Sequence, residues 1–241
     1  VGREFFPVAQ RLVADLTEGL QRLRTTARLS AGDVTLATMP SVAYQRLPRL
    51  LADYARRFPA NRVMLLERSG AFVTEAVRRG EAEFGIHIAG EPLPDLAEAL
   101  LSTDPMVLVC HPGHPLAGAR SVAWAALAGH DLATLGGGSG NRAPVERQLR
   151  LAGLPGRGRY VVESTPSAMA LAAAGLAAAI LPALPGGSPL LPRLVEVPLV
   201  EPVLCRSLSL VRRRGESLAP AAEALHALIL ASGGAGSPAA A

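Results

Sequence analysis

Two α/β units with a ligand cleft between them, preceded by a long helix, are the architecture this chain predicts. Three observations carry it. Short apolar strands alternate with amphipathic helices along most of the sequence. A strand-to-helix turn rich in Ser, Thr, Gly and Pro recurs in both halves, and residues 1–30 carry a heptad seam.

The seam comes first. Phe6, Ala9, Val13, Leu16, Leu20, Leu23 and Ala27 alternate spacings of three and four, with Arg11, Asp15, Glu18, Arg22 and Arg24 between them. A helix of about 24 residues is roughly 36 Å long and overhangs a small domain unless another helix covers it. The seam therefore predicts either a dimer contact or a helix folded back on its own domain, ended by Ser30-Ala31-Gly32.

The first unit opens with a strand over Val34 to Ala37 that breaks at Thr38-Met39-Pro40-Ser41 and restarts as a helix with Leu47, Leu50, Leu51, Tyr54 and Phe58 on one face, stopped by Pro59. A fully buried type of strand at Val63 to Leu66, a short helix over Ala71 to Arg79 with Val73 and Val77 inward, and a strand at Phe84 to Ile88 follow. This β-α-β-α-β rhythm predicts a parallel sheet with helices on both faces. Pro92 to Leu101 reads as a loop or short turn leading to a strand at Met106 to Cys110.

The second unit repeats the device. His111-Pro112-Gly113-His114-Pro115-Leu116 is a rigid turn, Val122 to Leu127 a short helix, and Leu132 to Leu135 a strand ending in Gly136-Gly137-Gly138-Ser139-Gly140. A helix over Ala143 to Ala152, a strand at Tyr160 to Val162, and a small-residue helix entered at Glu163-Ser164-Thr165-Pro166 come next. Gly175 is the expected left-handed stop of that helix, followed by a strand at Ala177 to Leu181. Strands at Leu194 to Val197 and Leu204 to Val211 and a helix over Pro220 to Leu230 close the chain, and Ser232 to Ala241 read as a frayed tail. If the last strand and helix return to the first unit, the chain crosses twice, near Leu101 to Pro105 and near Leu199 to Val203, which makes a hinge.

Composition narrows the function. The 241 residues hold 24 basic side chains, all arginine, against 20 acids. The arginines are dispersed, and the run Arg212-Arg213-Arg214 directly follows an apolar strand, so a solvated strand end accounts for it better than a nucleic-acid patch. Cys110 and Cys205 each fall in an apolar strand and read as buried free thiols in a cytosolic compartment. No signal-peptide core is read at the N-terminus, and no apolar run reaches the roughly 18 residues of a membrane span. His111 and His114 sit in a proline-rich turn with no further ligand in view, so no metal site is expected. The glycine run before Ser139 lacks the Lys and Ser/Thr of a phosphate loop and the dinucleotide spacing.

The chain resembles the effector-binding part of the LysR-type transcriptional regulators together with their linker helix. The matching residues are Gly2-Arg3 with Phe5-Phe6 and Ala9, then Gly32-Asp33-Val34-Thr35-Leu36-Ala37 and Leu47-Pro48 with Phe58-Pro59. They continue through Gly80-Glu81-Ala82-Glu83-Phe84-Gly85-Ile86, His114-Pro115-Leu116-Ala117, and Ala173 to Pro182. Their order and spacing carry the resemblance across nearly all of residues 2–230. It implies a type 2 periplasmic-binding-protein-like α/β fold: two Rossmann-like subdomains joined by two crossover strands. It further implies a cytoplasmic regulator without cofactor, assembling as a dimer or tetramer, that contacts DNA only through a winged helix-turn-helix preceding the first residue here. The domains expected are a linker helix over 1–30, subdomain I over 31–103 plus 204–231, subdomain II over 104–203, and a tail over 232–241. Glu83 stands where the family usually has aspartate, and His87 where many relatives carry a small or apolar residue.

The expected effector contacts are Thr38, Pro40, Ser41 and Ser69 from the first unit and Ser139, Asn141, Arg142 and Thr165 from the second, with Met39, Phe72 or Leu100 adding apolar contact. Hydroxyls donate or accept, helix-start N–H groups favour a carboxylate, and an arginine pairs with one bidentately. Each hydroxyl reads equally as an ordinary N-cap. His87 is either a ligand contact or a satisfied histidine. A transporter's solute-binding protein and an enzyme on the same bilobal scaffold are the alternative readings; the first lacks a use for the heptad seam, the second a convergent acid, base or nucleophile.

Overall fold

The computed structural model describes residues 32–183 and 194–233. The seam residues Phe6, Ala9, Val13, Leu16, Leu20, Leu23 and Ala27 lie outside the described residues, as does the tail from 234 onward.

The first lobe is built on β1 (Asp33–Thr38), β2 (Arg62–Glu67) and β3 (Phe84–Ile88), all parallel, with β1 in the middle. Helices α1 (Pro40–Gln45) and α2 (Leu47–Arg57) follow β1, and α3 (Gly70–Arg78) follows β2. What was expected as one helix after β1 is thus two, parted at Arg46. Glu83 closes the β1 edge, its carboxylate accepting the Thr35 N–H at 2.6 Å. Val73 and Val77 of α3 do face inward, and Gly85 of β3 lets the helix come close, since a Cβ there would stand 2.5 Å from Val73 Cγ1.

β4 (Leu96–Cys110) is a single 15-residue strand, where the sequence suggests a loop before Met106. Its first half pairs antiparallel with β10 (Cys205–Arg213), and its second half pairs antiparallel with β8 (Ala178–Pro182) and β9 (Val195–Val200). The ladder from β10 pairs the backbone from Leu96 to Pro105 and overrides the turn signal of Pro105, while Pro94-Asp95 just before it is a turn. β1, β2 and β3 are parallel as their β-α-β-α-β rhythm predicts, and β10 adds an antiparallel neighbour to β3. The strand order β2-β1-β3-β10-β4-β8, continued by Leu132–Leu135 and Tyr160–Val162, makes one path through both lobes.

The second lobe adds β5 (Val122–Ala123), a 3₁₀ turn at Trp124–Leu127, β6 (Leu132–Leu135), α4 (Arg142–Leu151), β7 (Tyr160–Val162) and α5 (Thr165–Ala173). Gly175, at φ 70°, ends α5 as expected. The closing helix α6 (Pro220–Gly233) takes in Ser232 and Gly233, which the sequence assigns to the tail.

Two departures concern exposure. β2 is an edge strand with Met64 61% exposed, not a strand buried on both faces. Cys110 is buried as expected, whereas Cys205, first residue of β10 after the second crossing, is exposed.

Each lobe packs apolar side chains on both sheet faces. In the first, Leu36, Tyr54, Phe84, Leu210 and Leu225 meet under α1, α2 and α6, and Ala37, Val73, Val77 and Val211 meet under α3. In the second, Leu108, Trp124, Leu149 and Ile180 form one side, and Val109, Ala133, Met169 and Leu181 the other. The crossings at Asp104–Met106 and at residues 201–204 are where the two sets of cores part.

Candidate functional site

Four strand-to-helix turns bring their helix starts to the same side of the sheet. α1 follows the end of β1 directly, α3 begins after Ser69, α4 after Asn141 and α5 after Ser164. Between the lobes these turns enclose a chamber of about 180 Å³. Pro40, Ser41 and Ser69 line it from the first lobe; Ser139, Asn141 and Thr165 line it from the second. The chamber opens into a wider mouth of about 580 Å³ shared by Met39, Ser69 and Ser139, where His87 stands with Ile88 and Leu93.

Two expected residues line neither space, and a third, His87, lines the mouth while holding a partner of its own. Thr38 is fully buried beneath the turn and lines neither space. Arg142 also lines neither; its Nε–H donates to Glu146 Oε1 at 2.7 Å, one helical turn on, and Arg157 donates to the same oxygen at 3.1 Å. The i,i+4 pair holds the guanidinium at Glu146, with Nη1 beside the glycine run, 3.5 Å from where a Cβ on Gly137 would stand. His87 is buried, with its Nε2 3.1 Å from Glu98 Oε1. Of the apolar candidates Met39 lines the chamber, while Leu100 is 65% exposed and Phe72 lies under Arg68, 5.7 Å from its guanidinium.

Sequence reasoning missed four members of the walls and one residue behind them. Ser164 lines the chamber and caps α5, its Oγ accepting the Ser167 N–H at 3.3 Å; Pro166 at the second helical position already signals that cap. Glu67, Arg68 and Glu163 also line it. Glu163 lies against the glycine run, with Oε2 3.4 Å from the Gly138 N–H, and a Cβ on Gly136 would stand 2.1 Å from Oε1. Behind Ser41, Arg206 donates from Nη1 to Ser41 Oγ at 2.9 Å and from Nε and Nη2 to Asp104 Oδ2 at 3.3 Å each. Asp104 Oδ1 accepts from Ser102 Oγ at 3.0 Å and from Arg46. No local pattern marks Arg206, since its partner Ser41 is 165 residues away.

Burial lowers the pKa of three histidines. It pushes His87 below its ordinary 6.5 although Glu98 pulls the other way. Burial likewise lowers His226, and burial with the neighbouring His130 lowers His114. Unfolded imidazoles take up protons as pH falls through about 6.5, whereas these folded ones resist. Stability from them is complete above that pH and is lost as the solution acidifies toward their lower folded values. Thermal unfolding between pH 7.5 and 5.5 should therefore show a falling Tm, with a shallower fall for His87→Gln; a Tm that rises on acidification contradicts this.

Among the described residues no three potential metal ligands cluster, and no helix is long and apolar enough to cross a membrane.

A two-lobed α/β protein with a polar inter-lobe chamber and paired crossover strands belongs to the class of bilobal ligand-binding domains. Residues 27–233 match the family model described as the LysR substrate binding domain. The chain is 35% identical over 226 residues to the HTH-type transcriptional regulator YfeR of Shigella flexneri, covering 90% of this chain and 71% of that protein. Among solved structures it is similar to the Synechocystis PCC6803 CcmR regulatory domain in complex with 2-PG (TM-score 0.71, 20% identity, 86% of this chain and 100% of that one). It is also similar to the effector binding domain of QuiR in complex with shikimate (TM-score 0.69, 17% identity, 86% and 99%). The chain belongs to the LysR family of transcriptional regulators and comprises its effector-binding domain. That makes it the sensing part of a regulator, and neither a transporter's solute-binding protein nor an enzyme.

Proposed function

We propose that the chamber between the lobes binds a small hydroxylated carboxylate, and that its occupancy biases the relative arrangement of the lobes and thereby the regulator's action on DNA. One observation carries the reading: six polar or helix-initiating residues from four separate turns, drawn from both lobes, converge on one space of about 180 Å³. N–H groups at helix starts favour an anionic oxygen, and the serine and threonine hydroxyls add donors. Glu67 and Glu163 on the same walls accept hydrogen bonds and so match hydroxyl groups rather than a second carboxylate. Shikimate, bound by QuiR, has this combination of groups.

In this reading residues 31–103 with 204–231 act as one effector-binding subdomain and 104–203 as the other, so a ligand touching both changes their equilibrium. Self-association as a dimer or tetramer through residues 1–30, a cytoplasmic location, and DNA contact through a preceding domain of the full-length regulator complete the proposal.

Titration calorimetry tests it. Once a thermal-shift screen of small carboxylates has given a ligand, Ser41→Ala should weaken binding about tenfold, as loss of a hydrogen bond to a charged group predicts. Arg142→Ala should change affinity by less than about twofold. Undiminished affinity in Ser41→Ala would sink the anion-site assignment.

A further inference from the structure

We propose that Arg206 is the positioning residue of the effector site, holding the Ser41 hydroxyl so that it donates into the chamber and giving the cleft its preference for anions over isosteric neutral ligands. The inference rests on the carboxylate reading above and adds the source of its charge selectivity.

The geometry leaves the Ser41 hydroxyl one role. Its oxygen accepts from Arg206 Nη1 at 2.9 Å, so its single proton is directed elsewhere, and Ser41 lines the chamber. A hydroxyl that accepts from a cation is polarised and becomes a better donor. Arg206 is held in place by two further bonds to Asp104 Oδ2, and its side chain is 3% exposed. The guanidinium thus cannot swing into the chamber without abandoning a buried carboxylate.

Charge supplies the second half. Arg46 and Arg206 share the single carboxylate of Asp104, leaving a formal +1 on a cluster whose Arg206 and Asp104 are almost wholly out of water and whose Arg46 is 17% exposed. Burial lowers Arg206 to about 10 against the pull of Asp104, which still leaves it protonated at neutral pH. Screening is weak in such a place, so the surplus charge acts through Ser41 on its side of the chamber and offsets the one negative charge that Glu67 and Glu163 leave over Arg68 on the walls. Arg206 and Asp104 are also cross-strand partners beside the crossing, so the charge that reads the effector stands at the hinge itself.

A purely structural role for Arg206 would weaken all ligands alike; a positioning role changes the ratio of acid to neutral isostere. The experiment is titration calorimetry of shikimate, benzoate and acetate, each against its carboxamide, with wild type, Arg206→Met, Arg206→Lys and Arg46→Gln. Wild type should prefer the acid. Arg206→Met should lose roughly tenfold in affinity for the acid with less than about twofold change for the amide, and Arg206→Lys should recover most of the preference. Arg46→Gln takes the cluster from +1 to 0 without touching Ser41 and should reduce the acid-to-amide ratio several-fold. It also decides the matter if Arg206→Met does not fold. If no acid binds wild type, the anion reading of the cleft falls and this inference with it. If wild type prefers the acid but both charge-removing variants keep the ratio, or if wild type takes acid and amide equally, the inference alone is overturned.

Discussion

Asp104→Ala is expected to destabilise the protein by about 3–5 kcal/mol, the range measured when one partner of a buried ion pair is removed. Asp104 is 4% exposed and holds two guanidinium groups and the Ser102 hydroxyl. Without it, Arg206 keeps the Ser41 oxygen as its remaining acceptor, yet its charge stays buried with Arg46 close by. Two like charges without a counterion in a dry site cost far more than the same pair at a surface. Asp104→Asn keeps the shape and one acceptor, so it should fall short of the alanine loss while still losing the charge. Asp104→Met combined with Arg206→Met exchanges the buried pair for apolar volume and should recover a large part of the deficit. Urea unfolding of the four proteins reads these differences as shifts in midpoint. A loss below about 1 kcal/mol in Asp104→Ala would show that water reaches the cluster and that its charges are screened.

Elements whose signals are local were legible in the sequence. Phe84 to Ile88, Leu132 to Leu135 and Tyr160 to Val162 are strands with the expected bounds, because a short apolar run between turn residues has little else to become. Elements decided by distant partners were not. Pro92 to Leu101 carries proline and glutamate and reads as a loop, yet from Leu96 onward it is strand because β10, returning from the other lobe, pairs with it. Val63 to Leu66 is apolar enough for a central strand, but its place at the sheet edge depends on strand order, which a local pattern does not encode. The candidate site divides in the same way. Hydroxyls at helix starts are written in the turn itself, and the structure brings Ser41, Ser69, Ser139 and Thr165 to one chamber. The arginines differ likewise: Arg142 is near a turn in sequence and pairs with Glu146 four residues on, whereas Arg206 reaches Ser41 only through tertiary folding.

Trp124→Ala should likewise cost about 3–5 kcal/mol, here by opening a cavity in the second lobe. Trp124 is 1% exposed and packs in the cluster of Met106, Leu108, Leu127, Leu149 and Val197. Its indole Nε1–H also donates to the Pro202 carbonyl at 3.0 Å, in the segment between β9 and β10 that carries the chain back to the first lobe. The side chain thus joins the core of one lobe to the second crossing, and two variants separate these contributions. Trp124→Phe keeps much of the apolar volume and loses the hydrogen bond, so it should cost less than the alanine change, with the Pro202 carbonyl losing its donor. Hydrogen exchange locates the effect. The alanine variant should lose protection across β6, β8 and β9, where the cavity removes support, whereas the phenylalanine variant should lose it first around residues 201–206. The second pattern bears on sensing, because that segment leads directly into Arg206. Loosening it while β6 and β8 stay protected should weaken effector binding with little change in the stability of the lobe. Equal loss of protection in both variants would instead make Trp124 a core residue alone, with no separate hold on the crossing.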